Sequence, residues 1–330
     1  MNRSTHKNKL TCSILIPVYN GEAFIKKALL SAFSQGDDVE EVIVVDNCST
    51  DNTWDLLQQF KSEKLKLYRN AANLGLFANF NCCLEKAKGD VLVFLCADDV
   101  LSKDAVAKAL LIMGQDNLIS VLNMSGRAIR ENGAFIKTIA NFISPGIYQG
   151  SVAALRIFQF LTESGYNALN YPSGVFLNRR IISENQIRFD STFKKCGDIE
   201  FYLKLLNYGN LAVSRDVSCD VTFHKNQVGQ QGRQSTIELE EFLTILRRFN
   251  DENQLTTSDD LQFKVRSLAL WRALKFMITG DFLGFKSHIY FAFDTKKPLL
   301  VLLNLTTFIL KKLSYFFQRP TLNIPKKNFY

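Results

Sequence analysis

No C-x-x-C pair occurs among the seven cysteines, and the N-terminal MNRSTHKNKL holds no apolar stretch. An odd cysteine count without paired spacing reads as small core residues in a reduced compartment. No secretory signal is visible, so a cytoplasmic location is expected, with peripheral attachment to the inner face of the cell membrane as a further expectation. Three phosphate or nucleophile signatures are missing as well. There is no G-x-G-x-x-G after the first strand, no G-x-x-x-x-G-K-[ST] and no serine elbow. These absences disfavour dinucleotide oxidoreductases, P-loop enzymes and elbow-type hydrolases. The chain has no internal repeat and no low-complexity tract, and its longest uncharged stretch near the C-terminus has only thirteen residues, 298–310. As a helix that stretch reaches about 20 Å, short of the ~30 Å hydrocarbon core of a bilayer.

The 330 residues are 47% hydrophobic and 22% charged, which excludes a disordered chain and an all-membrane protein. Length fits about two domains, or one large domain with an appendage. The net charge of +8 is unevenly placed: residues 261–330 carry twelve Lys or Arg against Asp281 and Asp294, or +10, and the rest of the chain is near −2. The same seventy residues hold 14 of the 39 aromatics. A basic, aromatic section of this kind suggests an anionic partner surface. No nucleic-acid module is recognisable, so an anionic membrane surface is expected rather than nucleic acid.

The first hundred residues alternate strand and helix signals. Residues 12–17 (CSILIP), 42–45 (VIVV) and 91–95 (VLVFL) are short, almost wholly apolar runs, as expected of strands buried on both faces. Residues 65–68 form a weaker strand signal, and helical spacing fills 21–34, 51–60 and 76–87. Repeated β-α units imply a parallel sheet covered by helices. Ligands of such sheets bind beyond the carboxyl ends of the strands. Three strands here end in polar clusters: Pro17-Val18-Tyr19-Asn20, Asp46-Asn47-Cys48-Ser49-Thr50-Asp51 and Asp98-Asp99. They are expected to converge on one crevice.

Beyond residue 100 the pattern is mixed. A helix is expected over 104–113, strands over 118–123 and 125–130, and a hairpin through Asn132-Gly133 into 134–139. Further helices are expected over 151–163, 198–208 and 236–250, with short strands at 174–177, 211–213 and 221–223 and a polar linker at 251–260. Residues 261–279 read as an amphipathic helix with basic and apolar faces, and 281–293 as another. The segment 296–312 is expected to lie in a membrane interface with its lysines at the headgroups, the alternative being a helix packed on the body.

Adjacent Asp98 and Asp99 repel unless a cation or donors compensate, so they read either as a divalent-metal site or as a solvated turn. Asp46 lies too early to cap the following helix, whereas Ser49 to Asp51 are placed to do so. Asp198 and Glu200 open a helix, where the dipole favours acids irrespective of chemistry. His224 ends a short apolar strand; a lone histidine is usually structural, but one at a strand end near carboxylates is a candidate metal ligand.

Taken together, SILIPVYNGEAFIKKALLSAFSQ (13–35), EVIVVDNCSTDNTWDLL (41–57), NLGLFANFNCCLEKAKGDVLVFLCADDVL (73–101) and FDSTFKKCGDIEFYLKLLNYG (189–209) resemble the family-two glycosyltransferases. The resemblance covers about residues 11–230. It implies a GT-A fold: an α/β, Rossmann-like, mostly parallel central sheet with flanking helices, followed here by a C-terminal helical region. It divides the chain into an N-terminal extension (1–10), a catalytic domain (11–250, with its nucleotide-sugar half at 11–101 and acceptor half at 102–250) and the helical region 251–330. It implies an inverting transfer of sugar from a nucleotide-diphosphate-sugar to a hydroxyl of a glycan or lipid-linked glycan in surface polysaccharide synthesis.

Residue by residue, the resemblance places Asp46 at the nucleobase, with Pro17, Tyr19, Asn20 and Asn73 lining the nucleotide-sugar. It makes Asp98 the last acid of the D-x-D motif on a Mn²⁺ or Mg²⁺ ion, with Asp99 and His224 as further metal contacts. Asp198 becomes the general base. Three positions depart from the family pattern: Cys96 replaces the first acid of D-x-D, Asn47 stands where a second acid is common, and Gly197 replaces the glutamate before Asp198. They motivate a rival from another class, a non-catalytic sugar-nucleotide or glycan-binding relative. A nucleotidyltransferase is the third reading.

Overall fold

The computed structural model describes residues 9–139, 142–164, 167–225, 227, 235–253 and 258–295, together with 298, 299, 301, 302, 305 and 309. Its first half is a succession of β-α units: β1 (Cys12–Val18), α1 (Ile25–Phe33), β2 (Val39–Asp46), α2 (Thr53–Gln58), β3 (Leu65–Arg69), α3 (Leu76–Lys86) and β4 (Val91–Phe94). The apolar runs became strands because they are buried on both faces. All seven residues of β1 are buried, and Ile14 is flanked by Val42 of β2 and Val93 of β4. Alternate side chains feed two cores. Ile14 and Ile16 pack with Ala28, Leu29 and Ala32 of α1, whereas Leu15 packs on the other face with Phe77 and Phe80 of α3.

The second half adds β5 (Val100–Leu101), α4 (Ala105–Met113), β6 (Ile119–Arg130), β7 (Phe135–Ile139), β8 (Gly146–Tyr148), α5 (Gly150–Ser164), β9 (Val175–Asn178), α6 (Arg179–Glu184), α7 (Gly197–Leu206) and β10 (Asn210–Phe223). The strand order is β3-β2-β1-β4-β9-β6-β10-β5, with β7 beside β6 and β8 beside β10. Strands β3, β2, β1 and β4 are parallel. The antiparallel β9 sits between β4 and β6, which restores the original direction to β6 and to its parallel neighbour β10. The carboxyl ends of β1, β2, β4 and β10 therefore share one edge of the sheet. The chain reverses its order of travel between β1 and β4, the place where open α/β sheets form their crevice.

Two expectations about strands are corrected. Residues 118–123 and 125–130 form the single strand β6, and 211–213 and 221–223 are the two ends of β10. In β10 the register shifts between Val213 and Cys219, where Ser214 Oγ donates to Asp216 Oδ2 at 2.7 Å. That local polar turn is a bulge inside one strand, which a polar interruption in the sequence does not distinguish from a break.

The C-terminal helices are α8 (Ile237–Asn253), α9 (Ser258–Ile278) and α10 (Phe282–Phe293). Helix α8 runs into the expected linker as far as Asn253. The expectation of basic and apolar faces on α9 is also corrected. Arg266 is buried and donates to the Phe291 carbonyl oxygen, and Arg272 pairs with Glu238 of α8 at 2.8 Å. Phe263, Leu268, Ala269 and Leu270 of α9 join the same core as Leu15 and Ile43. Most of 296–312 lies outside the described residues. No helix of the described residues is long and apolar enough to cross a membrane.

Five phenylalanines lock α7 onto the sheet. Phe189 stacks on Phe201 of α7 at 3.9 Å between centroids and meets Phe77, Phe80 and Phe94 at 5.3–5.6 Å. Asn81 of α3 fastens the backbone of Phe189 twice, at 2.9 and 3.0 Å. Removing a buried phenyl ring that touches three elements leaves a cavity that rigid walls cannot fill. Phe189→Ala is expected to destabilise the protein by about 3–5 kcal/mol in urea denaturation; a loss under about 1 kcal/mol would contradict this packing role.

Candidate active site

Where β1 ends, Tyr19 and Asn20 are exposed and Pro17 is buried in the strand. Asn20 takes a left-handed φ of 51°, accepts from the Thr50 amide at 2.9 Å through Oδ1, and donates its own amide to Ser49 Oγ at 2.9 Å. The ends of β1 and β2 are thus laced together. Asp46, at the end of β2, is fully buried. Its Oδ1 accepts from the Ser49 amide at 3.1 Å and from Ser49 Oγ. Its Oδ2 lies 3.0 Å from Arg69 Nε, an ion pair without hydrogen-bond alignment, so Oδ2 has no hydrogen-bond donor. Arg69 is the register partner of Asp46 on β3 and lies over the Trp54 ring at 5.3 Å. Any base that reaches Asp46 must therefore share it with Arg69.

Asn47 is buried and its amide is used at both ends. Nδ2 donates to Asn73 Oδ1 at 2.8 Å and to the Gly75 carbonyl at 3.2 Å, while Oδ1 accepts from Asn70 Nδ2 and the Leu74 amide. A carboxylate at 47 would set oxygen against the two acceptors, which accounts for the departure from the family pattern. Asn73 is exposed and holds its own loop, accepting the Gly75 amide at 2.9 Å.

The two aspartates after β4 have different environments. Asp99 is 2% exposed; its Oδ1 accepts from the Thr222 amide of β10 at 3.0 Å, and its Oδ2 from Ser173 Oγ at 2.6 Å. Burial, and secondarily the Asp98 charge, pushes its carboxyl well above the usual range, against the pull of these hydrogen bonds. Asp98 stays open to the crevice, with Oδ2 2.8 Å from His224 Nε2. The His224 ring rests on Phe24 at 4.6 Å between centroids. The structure thus brings Asp98 and His224 together as expected and turns Asp99 inward.

The ligand atoms of Cys96, Asp98 and Asp99 lie within 4.8 Å of one another. Burial first, and then the Asp99 and Asp98 charges, push the Cys96 thiol well up, so it is a neutral sulfur there. A neutral soft donor does not serve a hard cation. The donor set nevertheless fits Mg²⁺ or Mn²⁺, which need only one or two carboxylates when phosphates and water complete the shell. Asp98 would hold the ion, with His224 beside it, and a cation there would ease ionisation of the neighbouring Asp99.

Asp198 lies in the first turn of α7, its Oδ1 accepting from the Ile199 amide at 2.9 Å. Burial pushes its carboxyl up to about 6, against the backbone amides of Ile199 and of Asp198 itself, and Glu241 adds to the rise. The buried Tyr202 hydroxyl of α7 feels the charge of Asp198, and more weakly that of Cys96 at the end of β4. Gly197 has no room for a side chain: a Cβ there would stand 2.8 Å from the Phe77 ring. Its departure from the family pattern is thus filled by packing. Arg69, Ser173 and Thr222 escaped sequence reasoning. Only Arg69 carried a signal, as a charged residue closing a strand beside Asp46.

A sequence model of glycosyl transferase family 2 matches residues 13–171. An uncharacterised glycosyltransferase of Haemophilus influenzae is 36% identical over 109 residues, 32% of this chain and 44% of that protein. The Escherichia coli UDP-Glc:alpha-D-GlcNAc-diphosphoundecaprenol beta-1,3-glucosyltransferase WfaP is 37% identical over 87 residues, 26% of this chain and 35% of that protein. The chain spans less than half the length of these curated relatives. A crystal structure of S. aureus TarS 1-349 with UDP-GlcNAc superposes with a TM-score of 0.62, at 19% identity and over 97% of both chains. That likeness shows the fold, a GT-A arrangement.

A carboxyl whose folded pKa is raised binds its proton more tightly when folded, so ionising it costs stability. The cost is absent below the unfolded value of 3.8 and complete above about 6. Asp198→Asn is therefore expected to raise Tm at pH 8 and to match the parent below about pH 4 in melting curves. Equal Tm values at both pH values would contradict the buried placement.

Proposed function

We propose, from the match of residues 13–171 to the sequence model of glycosyl transferase family 2, an inverting transfer of a sugar from a nucleoside-diphosphate-sugar to an acceptor hydroxyl. What supports this reading is the part-buried Asp98–His224 pair at the carboxyl ends of β4 and β10, together with a carboxyl held near pKa 6 at Asp198 on α7. An acid tuned to about 6 is ionised at neutral pH and still accepts a proton, which suits a general base.

Each residue has a task in this mechanism. The β1–β2 edge, with Asp46, Arg69 and Asn20, receives the nucleoside. Arg69 shares the Asp46 carboxylate with a base N–H, which supplies the donor that Oδ2 lacks. Asp98 and His224 face the diphosphate. A Mg²⁺ or Mn²⁺ ion held by Asp98 supplies Lewis-acid neutralisation of the leaving diphosphate. Asp198 takes the proton of the acceptor hydroxyl as that oxygen attacks the anomeric carbon from the face opposite the diphosphate. A single displacement inverts the anomeric configuration.

Uridine diphosphate sugars are the first donors to test, because the TarS structures hold UDP and UDP-GlcNAc and WfaP is named for UDP-Glc. WfaP is also named for an acceptor on diphosphoundecaprenol. A lipid-linked acceptor suits an enzyme that rests on a membrane. At the α9–α10 corner Ile278 and Phe282 are each 80% exposed, Met277 and Leu283 are more than half exposed, and the exposed Lys275 and Lys286 flank them. Apolar tips beside lysines suit the headgroup region of an anionic leaflet. The surface charge and the buried α9 are then compatible, because only the corner touches lipid.

A thermal-shift screen of nucleoside diphosphates and their sugars with Mn²⁺ identifies the donor, and release of nucleoside diphosphate measures turnover. EDTA is expected to abolish release. Asp98→Asn is expected to lower kcat by about 100-fold or more, and Asp198→Asn to abolish transfer while nucleotide binding persists. The parent's kcat is expected to rise with pH through a midpoint near 6. Full turnover in Asp198→Asn, or release of pyrophosphate, would reject the reading; the latter marks a nucleotidyltransferase. In flotation with anionic vesicles the parent is expected to rise, and an Ile278→Ser, Phe282→Ser double variant to stay behind with unchanged donor hydrolysis. A parent that does not float rejects the membrane part.

A further inference from the structure

Helix α7 begins without a side-chain cap of its own. The three residues before it are held from outside, by one carboxylate on α8. Glu241 Oε1 accepts the Lys194 amide at 2.6 Å, and Oε2 accepts the amides of Lys195 and Cys196 at 2.9 Å each. Glu241 is 9% exposed, so the three hydrogen bonds are shielded and charge-assisted. A second fastening lies two turns further along α8, where Arg248 Nη1 bonds Asp190 Oδ2 at 2.7 Å and approaches Glu200 Oε1 at 3.4 Å. The Arg248 guanidinium also covers the Phe193 ring at 5.2 Å. Helix α8 thus grips the segment 190–196 at both ends. The first residues beyond the grip are Gly197 and Asp198. Helix α8 is tied in turn to α9 by Arg272 and Glu238.

We propose that Glu241 is a positioning residue for Asp198: its carboxylate fixes the backbone from which the base projects. This rests on Asp198 being the general base. The role differs from that of a capping group elsewhere on the surface, because a base must meet the acceptor hydroxyl within hydrogen-bond reach. A displacement near 1 Å costs about 100-fold in rate. Only Gly197 separates Asp198 from the gripped amides, so a loosened grip moves the base directly. Glu241 is remote in sequence from every glycosyltransferase motif of the chain.

Glu241 also acts on Asp198 through charge, raising its proton affinity. Burial keeps the Cys196 thiol, just before α7, and the Tyr202 hydroxyl of α7 protonated, and Glu238 of α8 and Arg272 of α9 act on Cys196.

The test compares Glu241→Gln, Glu241→Asp and Leu246→Ala in the full chain, by nucleoside diphosphate release over pH and by melting. Leu246 is a buried core residue of α8 that makes no hydrogen bond through its side chain, and it reports loss of stability. Glu241→Gln is expected to lower kcat by about 10- to 100-fold, to leave the donor KM within about threefold, and to move the lower pH midpoint downward. Glu241→Asp keeps the charge but withdraws it by one methylene; kcat is expected to fall with the midpoint unmoved. Leu246→Ala is expected to lower Tm without moving the midpoint. If Glu241→Gln does not fold at the assay temperature, Glu241→Asp decides alone: a reduced kcat at unchanged KM supports positioning, and an unchanged kcat overturns it. An unshifted midpoint and unchanged kcat in Glu241→Gln, with Asp198→Asn inactive, overturn the proposal and leave the base assignment standing. Turnover by Asp198→Asn instead removes the premise.

Discussion

The buried carboxyl of Asp99 ties together three stretches of chain that are far apart in sequence. It accepts the Thr222 amide at the end of β10 and the Ser173 hydroxyl before β9, and Ser173 Oγ in turn accepts the Cys96 amide at 3.0 Å. The turn from Cys96 to Asp99 closes on itself through a backbone bond of 3.0 Å. With Asp99 spent inward, its neighbour Asp98 has only the crevice to face, and His224, two residues beyond Thr222, is carried to it. Of two adjacent acids, one builds the site and the other serves it. A buried carboxyl without those donors would cost several kcal/mol, so the orientation of Asp98 is secured by the satisfaction of Asp99.

The same division of labour runs through the basic residues. Arg69 neutralises Asp46, Arg248 clamps the segment before α7, Arg266 caps the Phe291 carbonyl and Arg272 joins α9 to α8. None of these four is a free surface cation. The excess charge of residues 261–330 is therefore a poor guide to what meets a membrane, since two of its twelve cations are structural. Among the described residues, Lys275 and Lys286 are exposed beside the exposed apolar side chains of the α9–α10 corner.

How much of this was legible in the sequence depends on the range of the forces involved. Strands β1, β2 and β4 were legible because burial on both faces writes a continuous apolar run into the local sequence. Their carboxyl-end clusters, and hence the crevice, followed from strand direction alone. The long strands β6 and β10 read as pairs because the polar Asn123 and Ser125 around Met124, and Ser214-Arg215-Asp216, break the apolar pattern, and only sheet pairing shows that the chain continues through them. Arg266 read as part of a basic face because nothing local distinguishes a solvated arginine from one whose partner is 25 residues away on another helix. Glu241 was silent for the same reason: its three donors lie 45 to 47 residues upstream and are backbone amides, which carry no residue identity at all.

The departures at Cys96 and Gly197 looked, in the sequence, like losses of function. Their surroundings argue otherwise. The position of Gly197 is closed by the Phe77 ring, which belongs to the phenylalanine cluster that seats α7, so a glutamate there would displace the element that carries Asp198. Cys96 sits beside two aspartates, one of them buried. A third acid would add a like charge to a site where Asp99 is already hard to ionise. A small neutral thiol keeps the turn packed and leaves the field to Asp98. Both substitutions thus relieve crowding, one steric and one electrostatic, and both leave Asp98 and Asp198 in place. Asp198, its carboxyl held near pKa 6, is ionised at neutral pH only at a cost in stability.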